Sequence, residues 1–163
     1  MVRVRAVHDS FDAVEQRAER RGVPEDRRYS PGGLSNDRDG NGKNDYWRGD
    51  IAGLYAVKGK DGRDIKLIEI SIAGADLRPT TDIEKYLRPY PKAGYRYRAL
   101  RFADEKAPDP DRFAACAFPD TEKAGRAMFI ISHENWMYRK KAVPGGVEIF
   151  PADPLKEGWE KMD

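Results

Sequence analysis

Four segments decide the fold: GYRYRALRF (94–102), FAACAF (113–118), RAMFIIS (126–132) and WMYRK (136–140). Each is short, rich in aromatic and β-branched residues, and bounded by turn residues, which is the signature of strands. Pro119-Asp120 and Ala124-Gly125 punctuate the second connection, and Glu134-Asn135 is a tight turn between the third and fourth segments. Four consecutive strands joined in this way predict an antiparallel meander. In the first of them Tyr95 and Tyr97 alternate with Arg96 and Arg98, so the reading places tyrosines inward and arginines outward.

Upstream, residues 2–21 carry Val4, Val7, Phe11, Val14 and Ala18 at spacings of three and four, with charged residues between them. This pattern predicts a helix with a narrow apolar stripe, ended by Gly22 and Pro24. A narrow stripe suits a helix lying on a sheet. The predicted fold class is therefore α+β: an N-terminal helix packed on a roughly four-stranded antiparallel sheet, with long ordered loops. One domain over 1–163 is expected, with helix at 1–22, an acidic glycine-rich loop at 23–50, short helices at 51–91, sheet at 92–141 and an ordered tail at 142–163. Within 51–91, Asp50 is positioned to cap a short helix through Ile51, Leu54 and Tyr55, and Thr81 to cap one through Ile83 and Leu87. Residues 65–75 fit either period, and the reading leans to a helix ending near Asp76.

The chain has 163 residues, enough for one domain with a real core. Thirty basic against 28 acidic residues give a net charge of +2, which does not suggest a nucleic-acid partner. The single cysteine, Cys116, excludes an internal disulfide, and only two histidines, His8 and His133, are present. No apolar run approaches the ~20 residues of a membrane span. A Cys116–His133 nucleophile pair has no neighbouring signature, and Cys116 sits in an apolar strand where a thiol is usually inert core. Gly42-Lys43 is followed by Asn44 instead of Ser or Thr, so a phosphate loop fails. The sequence makes no enzyme argument.

One stretch does resemble a site. Asp37, Asp39 and Asn41, two apart, are followed by Gly42 at the sixth position, as in the first half of an EF-hand-type loop. Calcium takes six to eight oxygens at about 2.3–2.6 Å. The expected ligands are the side chains of Asp37, Asp39 and Asn41, the Lys43 carbonyl and Asp45. The twelfth position is Arg48 where an EF-hand needs Glu, so Asp50 is expected to close the shell. The predicted cofactor is thus a structural calcium ion.

The acidic loop ending Asp45-Tyr46-Trp47, with Gly49-Asp50-Ile51-Ala52-Gly53, the strand 92–100, the strand 113–119, the strand 125–131 and the ending Asp153-Pro154-Leu155 with Gly158-Trp159, resembles the head domain of an uncharacterised family of secreted bacterial proteins common in planctomycete-type genomes. That family is similar to type IV pilins and the major pseudopilins of type II secretion. The resemblance implies a structural, non-catalytic subunit that forms or decorates a cell-surface filament. Its partners would be other copies of itself or minor pilin-like subunits, without nucleic acid, and its location periplasmic or extracellular. Membrane contact would come only through an apolar helix ahead of Met1, which is read as an expression start. The alternative is a secreted calcium-binding adhesin or ligand-binding module that does not polymerise.

Overall fold

The structure, a computed structural model, describes residues 45–47, 49–58, 62–83, 88–104 and 111–162. It is mostly β. Among the described residues seven strands run in chain order: β1 (Tyr95–Ala99), β2 (Arg101–Phe102), β3 (Ala114–Pro119), β4 (Ala127–Ser132), β5 (Met137–Lys141), β6 (Ile149–Phe150) and β7 (Glu160–Met162). Helix among the described residues is confined to a 3-10 turn, Ala52–Tyr55, and a single α-helical turn, α1 (Ile70–Ala73).

The principal sheet has the order β1-β3-β4-β5-β7 and every pairing in it is antiparallel. β2 and β6 form a separate parallel pair. The four expected strands are therefore present, with Arg101 and Phe102 split off into β2. The tail supplies the fifth strand: Glu160–Met162 pairs with Met137, Tyr138 and Arg139.

This arrangement corrects the expected class. The described chain is not a helix packed on a four-stranded sheet, and the helix expected at 2–21 lies outside the described residues. What packs on one face near β1 and β3 is short: Ile51, Ala52, Ile68, Ile72, Ala73, Ala75 and Ile83 form a core with Tyr97, joined by Tyr95, Ala99, Ala115 and Ala117. The chain here cannot build longer helix because partners draw it away. Ile65 N–H bonds to the Val57 carbonyl and Leu67 N–H to that of Leu54, and Lys66 between them takes a left-handed φ of 53°, so residues ahead of Glu69 are tied to the 3-10 turn in a form no helix continues. Only Ile70–Ala73 coils, and Gly74 ends the turn by donating to the Ile70 carbonyl at 2.8 Å.

On the other face Ala114, Cys116, Phe118, Met128 and Ile130 form a second core with Leu100 and Trp159. The alternation of β3 and β4 accounts for this directly, since residues two apart share a face. Gly146 (φ +67°) lets the loop before β6 close over this core. A Cβ there would stand 2.5 Å from a ring carbon of Phe118.

With both faces covered, Arg96 and Arg98 do not extend into open water. Their stems are largely covered and their heads reach carboxylates, Arg96 to Asp120 at 2.8 Å and Arg98 to Glu148 at 2.9 Å. The Glu134-Asn135 turn forms as expected, with Asn135 at φ 60° and its N–H on the Ser132 carbonyl.

The second core generates a direct test. Ile130 is 1% exposed at its centre, and Ile149 is 49% exposed. Ile130→Ala should lower the unfolding free energy by about 2–5 kcal/mol in urea titration, whereas Ile149→Ala should change it by no more than about 0.5 kcal/mol. Equal effects would contradict the assigned core.

Candidate functional site

The densest polar arrangement lies where residues 45–56 meet residues 76–83. Asp50 stands just before the 3-10 turn and accepts five hydrogen bonds. Its Oδ1 takes the Gly53 N–H at 2.9 Å and the Thr81 hydroxyl at 2.8 Å. Its Oδ2 takes the Thr81 N–H at 2.7 Å, the Thr80 hydroxyl at 3.1 Å and the Thr80 N–H. The N-cap position of the turn is Ile51, without a side-chain cap, and not Asp50 as expected; from one residue earlier Asp50 accepts the Gly53 amide and fastens the turn to a segment thirty residues away. Thr81 donates its hydroxyl to Asp50; the helix it was expected to cap, through Ile83 and Leu87, runs into residues 84–87, outside the described residues.

Asp76 completes the joint. It is 3% exposed, and its Oδ2 accepts the Ala52 N–H at 2.9 Å while Oδ1 accepts the Arg78 N–H at 3.0 Å. Successive amides of the 3-10 turn, Ala52 and Gly53, are therefore claimed by two different carboxylates. The backbone around Asp76 simultaneously lines the outer edge of β1: Tyr97 N–H bonds to the Ala75 carbonyl and Leu77 N–H to the Tyr97 carbonyl, both at 2.9 Å. One residue ties the turn to the sheet.

Trp47 closes the joint from the N-terminal side. Its indole N–H donates to the Asp50 carbonyl at 2.7 Å, and its ring lies over Gly49 and Gly53. A Cβ at Gly53 would run into that ring and stand 2.7 Å from Asp50 Oδ1.

The two acids titrate in opposite directions. At Asp50 burial works to raise the value, but the bonds from Thr81, Thr80 and Gly53 outweigh it and hold the carboxyl below its ordinary 3.8. At Asp76 burial dominates over the bonds from Ala52 and Arg78, the charge of Asp50 adds to it, and the carboxyl is raised. A carboxylate whose lone pairs receive five donors is a structural acceptor. It is poorly placed as a base or nucleophile, because both oxygens are occupied.

Of the expected calcium ligands, Asp37, Asp39, Asn41 and Lys43 lie outside the described residues. Asp45 is buried, and Asp50 holds the donors just named. A cation at Asp50 would compete with Thr80 and Thr81 for the same oxygens. Among the described residues no group of three His, Cys, Asp or Glu side chains is gathered as metal ligands would be.

Cys116 and His133 are not brought together. Cys116 is fully buried opposite Ile130, and burial pushes its thiol up to about 11, so the thiolate needed for attack is scarce. His133 lies three residues further along than Ile130, about 10 Å of strand. Its ring packs between Tyr46 at 6.0 Å and Phe102 at 5.9 Å. Sequence reading missed Asp76 altogether and missed the role of Thr80 and Thr81. Asp76 follows the apolar Ile-Ala-Gly-Ala run 72–75, an acid at the end of a buried stretch, which is the one local sign that it needs a partner.

Comparison with protein-family models, with curated proteins and with solved structures gives no match.

The joint predicts a pH-dependent loss. Asp50→Ala should cost about 2 kcal/mol at pH 7, the scale of hydrogen bonds to a half-exposed charged acceptor. Because the native value of Asp50 is depressed, its contribution is present above the ordinary 3.8 and lost as pH falls through the native value. Urea titrations at several pH values should therefore show wild type and Asp50→Ala converging in acid. A constant gap would contradict the assignment.

Proposed function

We propose that this chain is a structural, non-catalytic domain of a cell-surface assembly of the pilin or pseudopilin kind, working alongside copies of itself or minor subunits of that type. The observation that carries this reading is the use of its interior acids. Asp50 and Asp76, the best-coordinated carboxylates described, are engaged by backbone amides and threonine hydroxyls and so hold two segments to a sheet. Such an arrangement suits a domain whose work is to keep its shape under load. The sealed thiol of Cys116 agrees with it.

Calcium has a place in this reading. Residues 37–45 offer Asp37, Asp39, Asn41, the Lys43 carbonyl and Asp45 at EF-hand-like spacing, immediately ahead of the Asp50 joint. An ion held there would cross-brace the loop that leads into Trp47. A second reading, a secreted calcium-binding adhesin that does not polymerise, is favoured by the exposed indole of Trp136.

Thermal melts test the ion. With calcium at about a hundredfold excess over its Kd the melting temperature should rise by about 5–10 °C relative to chelator. Asp39→Ala should abolish the rise; an unresponsive wild type, or a variant that responds as wild type does, would remove calcium from the account. Assembly is tested separately on the producing cells. Antibody against this domain should label sheared surface filaments, and label confined to the soluble cytosolic fraction would overturn the filament reading.

A further inference from the structure

The most exposed aromatic feature of the sheet lies at the β4–β5 turn. Trp136 is 45% exposed and follows directly on the tight Glu134-Asn135 turn, so the sheet holds it in place. Lys161 of β7 stands opposite Tyr138 of β5 and therefore lies diagonal to Trp136 on the same face, within reach of long side chains. Its ammonium sits 3.0 Å from the centre of the Trp136 ring. No described acid pairs with it.

The same construction occurs once more on this face, one rung inward. Lys140 lies 5.7 Å over the ring of Trp159. There the arrangement is structural: Trp159 is 4% exposed in the second core, and Lys140 also donates to the Glu157 carbonyl. The outer rung repeats the chemistry at exposed residues: Trp136 is 45% exposed, and Lys161 is exposed as well. On the opposite face of the same strands Arg139 is neutralised by Glu160 at 2.7 Å. Thus the outer rung sets one exposed indole against one cation that no described acid pairs with.

We propose that Trp136 and Lys161 form a binding site for a carboxylate-bearing polysaccharide. A sugar carboxylate draws the Lys161 ammonium off the ring and pairs with it, and the indole then stacks against the C–H face of that pyranose ring or its neighbour. One cation per aromatic ring matches a polymer carrying one acid per sugar. A nucleic-acid strand would call for a continuous basic track beside its stacking rings, and Arg139 is already neutralised. This site stands whether or not the domain polymerises.

The test is affinity electrophoresis and calorimetry of the whole chain with polygalacturonate, with dextran and single-stranded DNA as comparison polymers. Wild type should bind polygalacturonate in a salt-sensitive manner and should bind neither comparison polymer appreciably. Trp136→Ala and Lys161→Ala should each weaken binding about tenfold or more, the scale of losing one stacking or charged contact. Lys161→Arg should retain it, and Leu155→Ala, at another exposed apolar position, should bind as wild type does. All variants should keep the wild-type melting temperature. Absence of wild-type binding, equal binding of DNA, or binding unchanged in both alanine variants would each overturn the proposal.

Discussion

Two carboxylates, Asp50 and Asp76, hold the 3-10 turn to the sheet, and the order of the non-sheet half depends on them. The described residues of 49–83 contain one four-residue 3-10 turn and one turn of α-helix, too little regular structure to stabilise itself. The first two amides of the 3-10 turn need acceptors, and helix starts leave such donors unmet. Asp50 and Asp76 meet them from opposite sides. Because the Asp76 backbone also runs along β1, the same residue sets the position of the turn relative to the sheet.

The sheet then acts as a partition. Its alternating residues divide the apolar interior into two cores, one under the short helical elements and one beneath the tail. Trp159 anchors the tail in the second core, and Glu160–Met162 extends the sheet by a strand. The outer edge of β1 is lined by residues 75–77, and the other edge ends in a short strand bearing Glu160 and Lys161. Charged, short edges of this kind discourage unplanned strand addition.

Much of the sheet was legible in the sequence because β1, β3, β4 and β5 carry their own pattern: alternation, aromatics and turn residues at their ends. β6 and β7 were not, since Ile149–Phe150 and Glu160–Met162 are too short to show a period, and their pairing comes from partners distant in sequence. Residues 65–75 were read as one helix, and only Ile70–Ala73 is helical: three isoleucines fit a helical stripe, but bonds from Ile65 and Leu67 to Val57 and Leu54 decide the backbone ahead of it. At the joint, the sequence marked Asp50 as an acceptor for the start of the turn, although the N-cap position itself falls on Ile51. Its bonds to Thr80 and Thr81 were not, because nothing local marks a partner thirty residues away.

Native-state hydrogen exchange at the amides of Ala52, Gly53, Thr80 and Thr81 reads the joint itself. If Asp50 and Asp76 lock the two segments together, these four amides open as one unit, with protection approaching that of Cys116 and Ile130 in the middle strands. Exchange at rates typical of exposed loops, or independently at the two segments, would contradict the account.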